Sequence, residues 1–176
     1  MKHPKTIFCV AAAAAALLSG CAGTYQGVSA TAELEPRSGS QVQGKIHFSQ
    51  HANGIVKVAG QISGLHPNSA HGFHIHEKGD CSSADGNSAG PHFNPHNSAH
   101  GAATSTHSHV GDLPNLQANN NGMAIVQWES DRLQLTPGNA NIVERSVVVH
   151  AQPDDLHSQP AGNAGARIAC GVIKLQ

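Results

Sequence analysis

The chain has 176 residues, 12% of them charged and 3% aromatic, which is the size of one ordinary domain with one core. Its formal net charge is -1, so it lacks the basic footprint of a nucleic-acid binder and no nucleic-acid partner is expected. Nineteen Gly and nine Pro point to many turns and few long helices.

Residues 1–20 read as a secretory signal. Lys2 and Lys5 precede an apolar run from Ile7 to Leu18, which is too short to span a bilayer as a helix. A positive start, a short apolar run and small residues make a cleavable signal. The run ends Leu18-Ser19-Gly20-Cys21, which resembles the lipobox of bacterial lipoproteins. That resemblance implies an exported, periplasmic protein held to an envelope membrane through a lipidated Cys21. Several acyl chains on one cysteine hold firmly, since stable anchoring takes more than one chain. Ordinary cleavage near Ala22 would instead leave a free protein. Residues 21–27 then form a tether and residues 28–176 the folded domain. Lys2 and Lys5 leave with the signal, so eight of the ten Lys and Arg face eleven Asp and Glu and the domain is mildly acidic. Cys9 leaves too and Cys21 is taken by lipid. Cys81 and Cys170 remain, and a cysteine pair in an exported protein predicts a disulfide.

From Val28 the apolar pattern has period two. Val28 to Leu34 alternates and stops at Pro36, and Val42 to Phe48 alternates again. Asn53-Gly54 is a hairpin turn signal, and Ile55 to Ile62 is the return strand. His71 to Glu77 is a fourth strand. Lys78 to Gly111 has no apolar periodicity, and so long a loop inside a compact domain is functional or disordered. Leu113 to Ala118 and Gly122 to Trp128 flank a second hairpin turn at Asn119 to Gly122. Thr136 to Asn139 is another turn, Ser146 to His150 a β-branched strand, Ala151 to Ala166 a second loop and Arg167 to Leu175 the closing strand. About eight short strands with two long loops predict an all-β, eight-stranded Greek-key sandwich or barrel.

The stretch from His71 to Asp112 holds eight of the fourteen histidines. Imidazole in that density suits zinc, copper, iron or nickel, and all-oxygen calcium or magnesium sites do not match. His74 and His76 stand two apart in a strand, so both point to one face while Phe73 and Ile75 turn to the core. His150, at the end of another strand, can add a third nitrogen. His92, His100, His109 and Asp112 lie along the loop. A His/Asp set suits tetrahedral zinc, and three or four histidines in a plane suit Cu(II).

Five segments carry a family resemblance: Gly72-Phe-His-Ile-His-Glu77, Gly90-Pro-His-Phe-Asn-Pro95, His109-Val-Gly-Asp-Leu113, Val149-His150 with Asp154-Asp155-Leu156, and Gly162-Asn-Ala-Gly-Ala-Arg-Ile-Ala-Cys-Gly171. In this order they resemble the copper/zinc superoxide dismutases. The resemblance implies one copper and one zinc per chain. His74, His76, His92 and His150 would bind copper, and His92, His100, His109 and Asp112 would bind zinc, with His92 bridging both as an imidazolate. Asp154 would link His74 to His100 from outside the ligand shell. Arg167 would stand beside the copper, and Cys81 would pair with Cys170. His96 rivals His100, and His107 rivals His109. The eight-residue distance from His92 and the following Gly101 favour His100, and the His-Val-Gly-Asp context favours His109. His47, His51, His66 and His157 are read as surface or turn residues, and His71 as structural.

The implied reaction is dismutation of superoxide, a small anion, to oxygen and hydrogen peroxide. His92 and Arg167 are the catalytic candidates. The segment between Asp155 and Gly162 is short and lacks a charged cluster, which looks like the bacterial form and leaves open what guides the substrate beyond Arg167. The rival function is a non-enzymatic copper/zinc-binding envelope lipoprotein, against which the complete ligand set argues. Monomer and homodimer both stay open.

Overall fold

A computed structural model describes residues 27–176. The expected signal, Cys21 and all of the expected tether but its last residue lie outside the described residues. Among the described residues the elements are β1 (Val28–Pro36), β2 (Gln43–Gln50), β3 (Val56–Ser63), β4 (Ala70–His71), β5 (Phe73–His76), β6 (Leu116–Gln117), β7 (Ala124–Ser130), β8 (Ser146–His150) and β9 (Arg167–Leu175), with one 3-10 turn at Asn87–Ala89. Seven strands form one antiparallel sheet in the order β5-β8-β9-β1-β2-β3-β7, and β4 pairs with β6. The all-β expectation holds, and this curled sheet is consistent with an eight-stranded barrel.

Alternation along β2 puts Ile46 and Phe48 inside and Lys45 and His47 outside, the burial expected when a sheet has one wet face. Ile62, Phe73, Ile75, Leu113, Ile142, Val147 and Ile173 join them in one buried cluster. The Asn53-Gly54 turn joins β2 to β3, with Gly54 at φ 87, a left-handed value that glycine adopts without steric cost.

Three expectations need correction. His71 to Glu77 is two strands rather than one. The chain breaks at Gly72, whose N–H bonds Gln152 O at 2.8 Å and whose carbonyl accepts from His150 N at 2.8 Å. The break lets β4 pair with β6 while β5 pairs with β8. The strand expected over Leu113 to Ala118 shrinks to β6. The Asn119 to Gly122 turn does lead into β7, but β7 pairs with β3, so the two flanking segments are not ladder neighbours.

β8 is buried at all five positions. Its second face is covered by the long loop, where Ala89, Val148, Cys170 and Cys81 make a small cluster of their own. The expected disulfide closes there: Cys81 and Cys170 are bonded, with Cα atoms 5.7 Å apart and 89 residues of separation.

Candidate metal centre

The site is assembled on β5. His74 and His76 share a face of this strand, 0% and 1% exposed. The free edge of β5 is taken by the long loop: Ile75 N bonds Gly111 O at 2.9 Å, Phe93 N bonds Ile75 O at 2.8 Å, and Glu77 N bonds Pro91 O at 2.8 Å. These backbone bonds set His92 opposite His76 and Asp112 opposite His74. A side chain at Gly111 would meet Ile75 O at 2.2 Å, so only glycine allows the loop to close onto the strand. On the other side, the register shifts between Val149 and His150 so that His150 stands opposite Arg167. An irregularity of this kind re-aims side chains beside a site.

Two sets of ligand atoms result, His74, His76, His92 and His150 in one and His92, His100, His109 and Asp112 in the other. Within each set the atoms lie within 4.8 Å of one another. That is the scale of a cage around an ion with metal–nitrogen bonds of ~2 Å. Hydrogen bonds choose which nitrogen of each ring faces inward. His76 Nδ1–H donates to Gly90 O at 2.8 Å and His150 Nδ1–H to Gly165 O at 3.2 Å, leaving the two Nε2 atoms 3.3 Å apart. Asp154 takes His74 Nε2 and His100 Nε2, each at 2.8 Å. Asp112 Oδ1 faces Nδ1 of His92, His100 and His109 at 2.9, 3.0 and 3.2 Å. His74 Nδ1 and His92 Nε2 are buried with no hydrogen-bond partner. Orphaned buried nitrogens are costly unless something binds them, and here both belong to the first set. The donors fit a metal in each set: four imidazole nitrogens for copper, three and a carboxylate for zinc.

Burial, aided by neighbouring imidazoles, lowers the pKa of His92 to about 4, against the raising pull of Asp112, and that of His150 to about 3. His76 is lowered well below its ordinary value by burial and by His92 and His150. All three are neutral near pH 7, the state a ligand needs. His100 is opposite in sign: burial would lower it, but Asp112 and Asp154 outweigh burial and raise it to about 9. Asp112 and Asp154 resist the upward pull of burial and sit below the usual carboxylate range, because the histidines hydrogen-bond their ionised forms.

These shifts predict how the metal-free chain responds to pH. As pH falls below 6.5, the ordinary histidine value, the unfolded chain takes up protons at His76, His92 and His150 before the folded one does. Stability therefore falls from pH 6.5 toward pH 4. The contribution of His100 is fully present below 6.5 and is lost as pH rises toward 9. Urea midpoints of the metal-free protein should peak near pH 6.5. A midpoint that is flat or rising from pH 6.5 down to 4.5 contradicts this.

The structure brings together every predicted ligand in the two sets, with Asp154 bonded to a ring of each, and Arg167 lines one cavity with His76, His92, His109 and His150. This pit holds about 800 Å³ and is lined by both charged and carboxamide side chains, the charged ones being Glu77 and Arg167. Arg167 Nη1 donates to Gly86 O at 2.9 Å. His96 and His107, the rivals, are exposed and outside both sets, as are His47, His51, His66 and His157. His71 is buried and structural: Nδ1–H donates to His150 O at 2.8 Å, and Nε2 meets Ser69 Oγ at 2.7 Å.

Sequence reading missed the supports of the site. Arg132 donates to Ser108 Oγ and Ser108 O at 2.8 and 2.7 Å and to Ala103 O and His109 O at 3.2 Å, clamping the loop that carries His109. Asn115 exchanges two bonds with the Asp154 backbone at 2.8 and 2.9 Å. Gly162 has φ +64, and a Cβ there would lie 1.8 Å from Asp154 Oδ1 and 2.7 Å from His100 Nε2. Gly162→Ala should displace Asp154 from both rings and weaken zinc binding about 10–100-fold, the usual cost of damage just outside a ligand shell. Chelator competition measures this, and an unchanged zinc affinity would remove Gly162 from the site.

A family model described as copper/zinc superoxide dismutase matches residues 42–173. A Cu-Zn superoxide dismutase of Mesembryanthemum crystallinum is 45% identical over 143 residues, covering 78% of this chain and 90% of the relative. One from Onchocerca volvulus is 44% identical over 147 residues, covering 78% and 91%, and one from Arabidopsis thaliana is 44% identical over 143 residues, covering 78% and 85%. The crystal structure of the clock protein EA4 superposes with a TM-score of 0.77 at 38% identity, covering 88% of this chain and 98% of that one.

Proposed function

The chain belongs to the copper/zinc superoxide dismutases, and from that premise we propose that it works at a bacterial cell envelope, exported and lipid-anchored through Cys21, with each ligand in the role given below. The enzyme is a superoxide dismutase and the family's metals are copper and zinc. The reaction balances as 2 O₂•⁻ + 2 H⁺ → O₂ + H₂O₂.

His74 Nδ1, His76 Nε2, His92 Nε2 and His150 Nε2 would hold copper, and His92 Nδ1, His100 Nδ1, His109 Nδ1 and Asp112 Oδ1 would hold zinc. The observation that carries this division is the pair of orphaned nitrogens, His74 Nδ1 and His92 Nε2, in the all-imidazole set. Bound there, copper supplies the one-electron couple that oxidises one superoxide and reduces the next, while zinc supplies fixed charge. His92 presents a nitrogen to each set; whenever Nε2 is free of the metal it can take a proton from solvent and pass it to one peroxide oxygen, and the second proton comes from solvent. Asp112 Oδ1, 2.9 Å from His92 Nδ1, orients that ring in the metal-free chain. Arg167 attracts and orients the anion at the rim of the pit. Asp154 aligns His74 and His100 together, so the two sets share a support as well as a ligand.

Metal content and activity measured on one sample of the mature protein test the central reading. About one copper and one zinc per chain with rapid superoxide loss is expected. A fully metallated protein no faster than free copper would defeat it. The envelope placement is tested separately: labelled fatty acid should enter the chain in cells and stop doing so in Cys21→Ala, which should also leave the membrane fraction. Equal labelling of both forms would refute the anchor.

A further inference from the structure

His100 is held from three directions besides the second metal set. Its ring Nε2 meets Asp154 at 2.8 Å. Its backbone N–H donates to Gln159 Oε1 at 2.8 Å, and Gln159 Nε2 donates back to His100 O at 2.9 Å and to His157 O at 3.2 Å. The side-chain amide of Gln159 thus pairs with the His100 backbone as a neighbouring strand would, giving one acceptor and one donor in register. Gln159 belongs to the second long loop, from Ala151 to Ala166, some sixty residues from His100 in sequence, and it also lines the pit. The segment carrying His100 has no ladder of its own, since the 98–103 region is outside every strand. A ligand on such a segment needs its backbone fixed before its ring can be aimed.

We propose that Gln159 is a positioning residue for the zinc ligand His100, its carboxamide fixing both backbone groups of that residue so that Nδ1 is presented to the metal. Neither a carboxylate nor an alkyl side chain can do this, because the geometry requires one acceptor and one donor on the same planar group. The proposal rests on zinc occupying the His92, His100, His109 and Asp112 set.

The test uses the full mature chain, zinc alone and a chelator competition, with cobalt(II) in place of zinc as a visible-spectrum reporter of ligand geometry. Gln159→Ala should weaken zinc binding about tenfold or more, the scale of lost support outside a ligand shell, and should alter the cobalt bands. Gln159→Glu has nearly the same shape and keeps the acceptor for His100 N–H but loses both donors. It should fall between the parent and the alanine variant. Urea melts of the metal-free proteins should show a smaller loss for each variant than melts of the zinc-loaded ones. Equal losses with and without zinc, together with zinc affinities within twofold of the parent and unchanged cobalt bands, would overturn the role of Gln159 and leave it a loop-folding residue. Failure of the parent chain to bind zinc would overturn the zinc assignment itself.

Discussion

His150→Ala should abolish copper binding and dismutase activity while leaving about one zinc per chain. The imidazole of His150 meets His76 Nε2 and Gly165 O, and its backbone is held by Gly72 and His71. None of these bonds reaches His100, His109 or Asp112. Removing the ring leaves three imidazole nitrogens in the copper set and opens its solvent side, where Arg167 stands opposite in the ladder. Even damage outside a ligand shell costs about 10–100-fold, so losing a ligand should lower activity by more than about 100-fold. Metal analysis and activity on the same preparation read the result, with a thermal melt of the zinc-loaded variant as the control for folding. Copper retained with activity within tenfold of the parent would remove His150 from the ligand set. Zinc lost with copper retained would reverse the division between the two sets.

The residues of the two candidate metal sets are legible because part of their spacing is a local property. Two histidines two apart in a strand must share a face, and the His-Val-Gly-Asp run puts His109 and Asp112 three apart. The rivals His96 and His107 were harder to reject from sequence, because nothing local says which loop histidine turns inward. The structure decides it through long-range bonds: Asp154 and Gln159 hold His100 from 54 and 59 residues away, and Arg132 holds the backbone of His109. Supports of this kind leave no sequence period. Gly162 reads as one more turn glycine until the position of the Asp154 carboxylate is known. The fold class was legible from period-two runs and turn residues. The break at Gly72 was not, because the run from Ala70 to His76 keeps its pattern while the chain changes partners.

Cys81→Ser should cost about 4–5 kcal/mol of stability under oxidising conditions. The bond closes a loop of 89 residues, and in the chain-entropy model a loop of that length restrains the unfolded chain by about this much. The native side of the balance also changes. The disulfide pins the loop against β8 and β9, and three contacts of that loop reach the site or its frame. Arg37 Nε donates to Cys81 O at 2.8 Å, Arg167 Nη1 to Gly86 O at 2.9 Å and His76 Nδ1–H to Gly90 O at 2.8 Å. Loosening the loop therefore frees Arg167 and the ring of His76 together. Denaturant unfolding of the metal-free parent and variant, both kept oxidised, measures the first effect. Reducing the parent should reproduce most of it, and a variant as stable as the oxidised parent would show that the cross-link adds nothing. The second effect is read on the copper- and zinc-loaded proteins: activity per bound copper should fall in the variant, because the metals can still bind while Arg167 and His76 lose their backbone acceptors. Full activity per copper in a destabilised variant would confine the disulfide to stability and detach it from the catalytic pit.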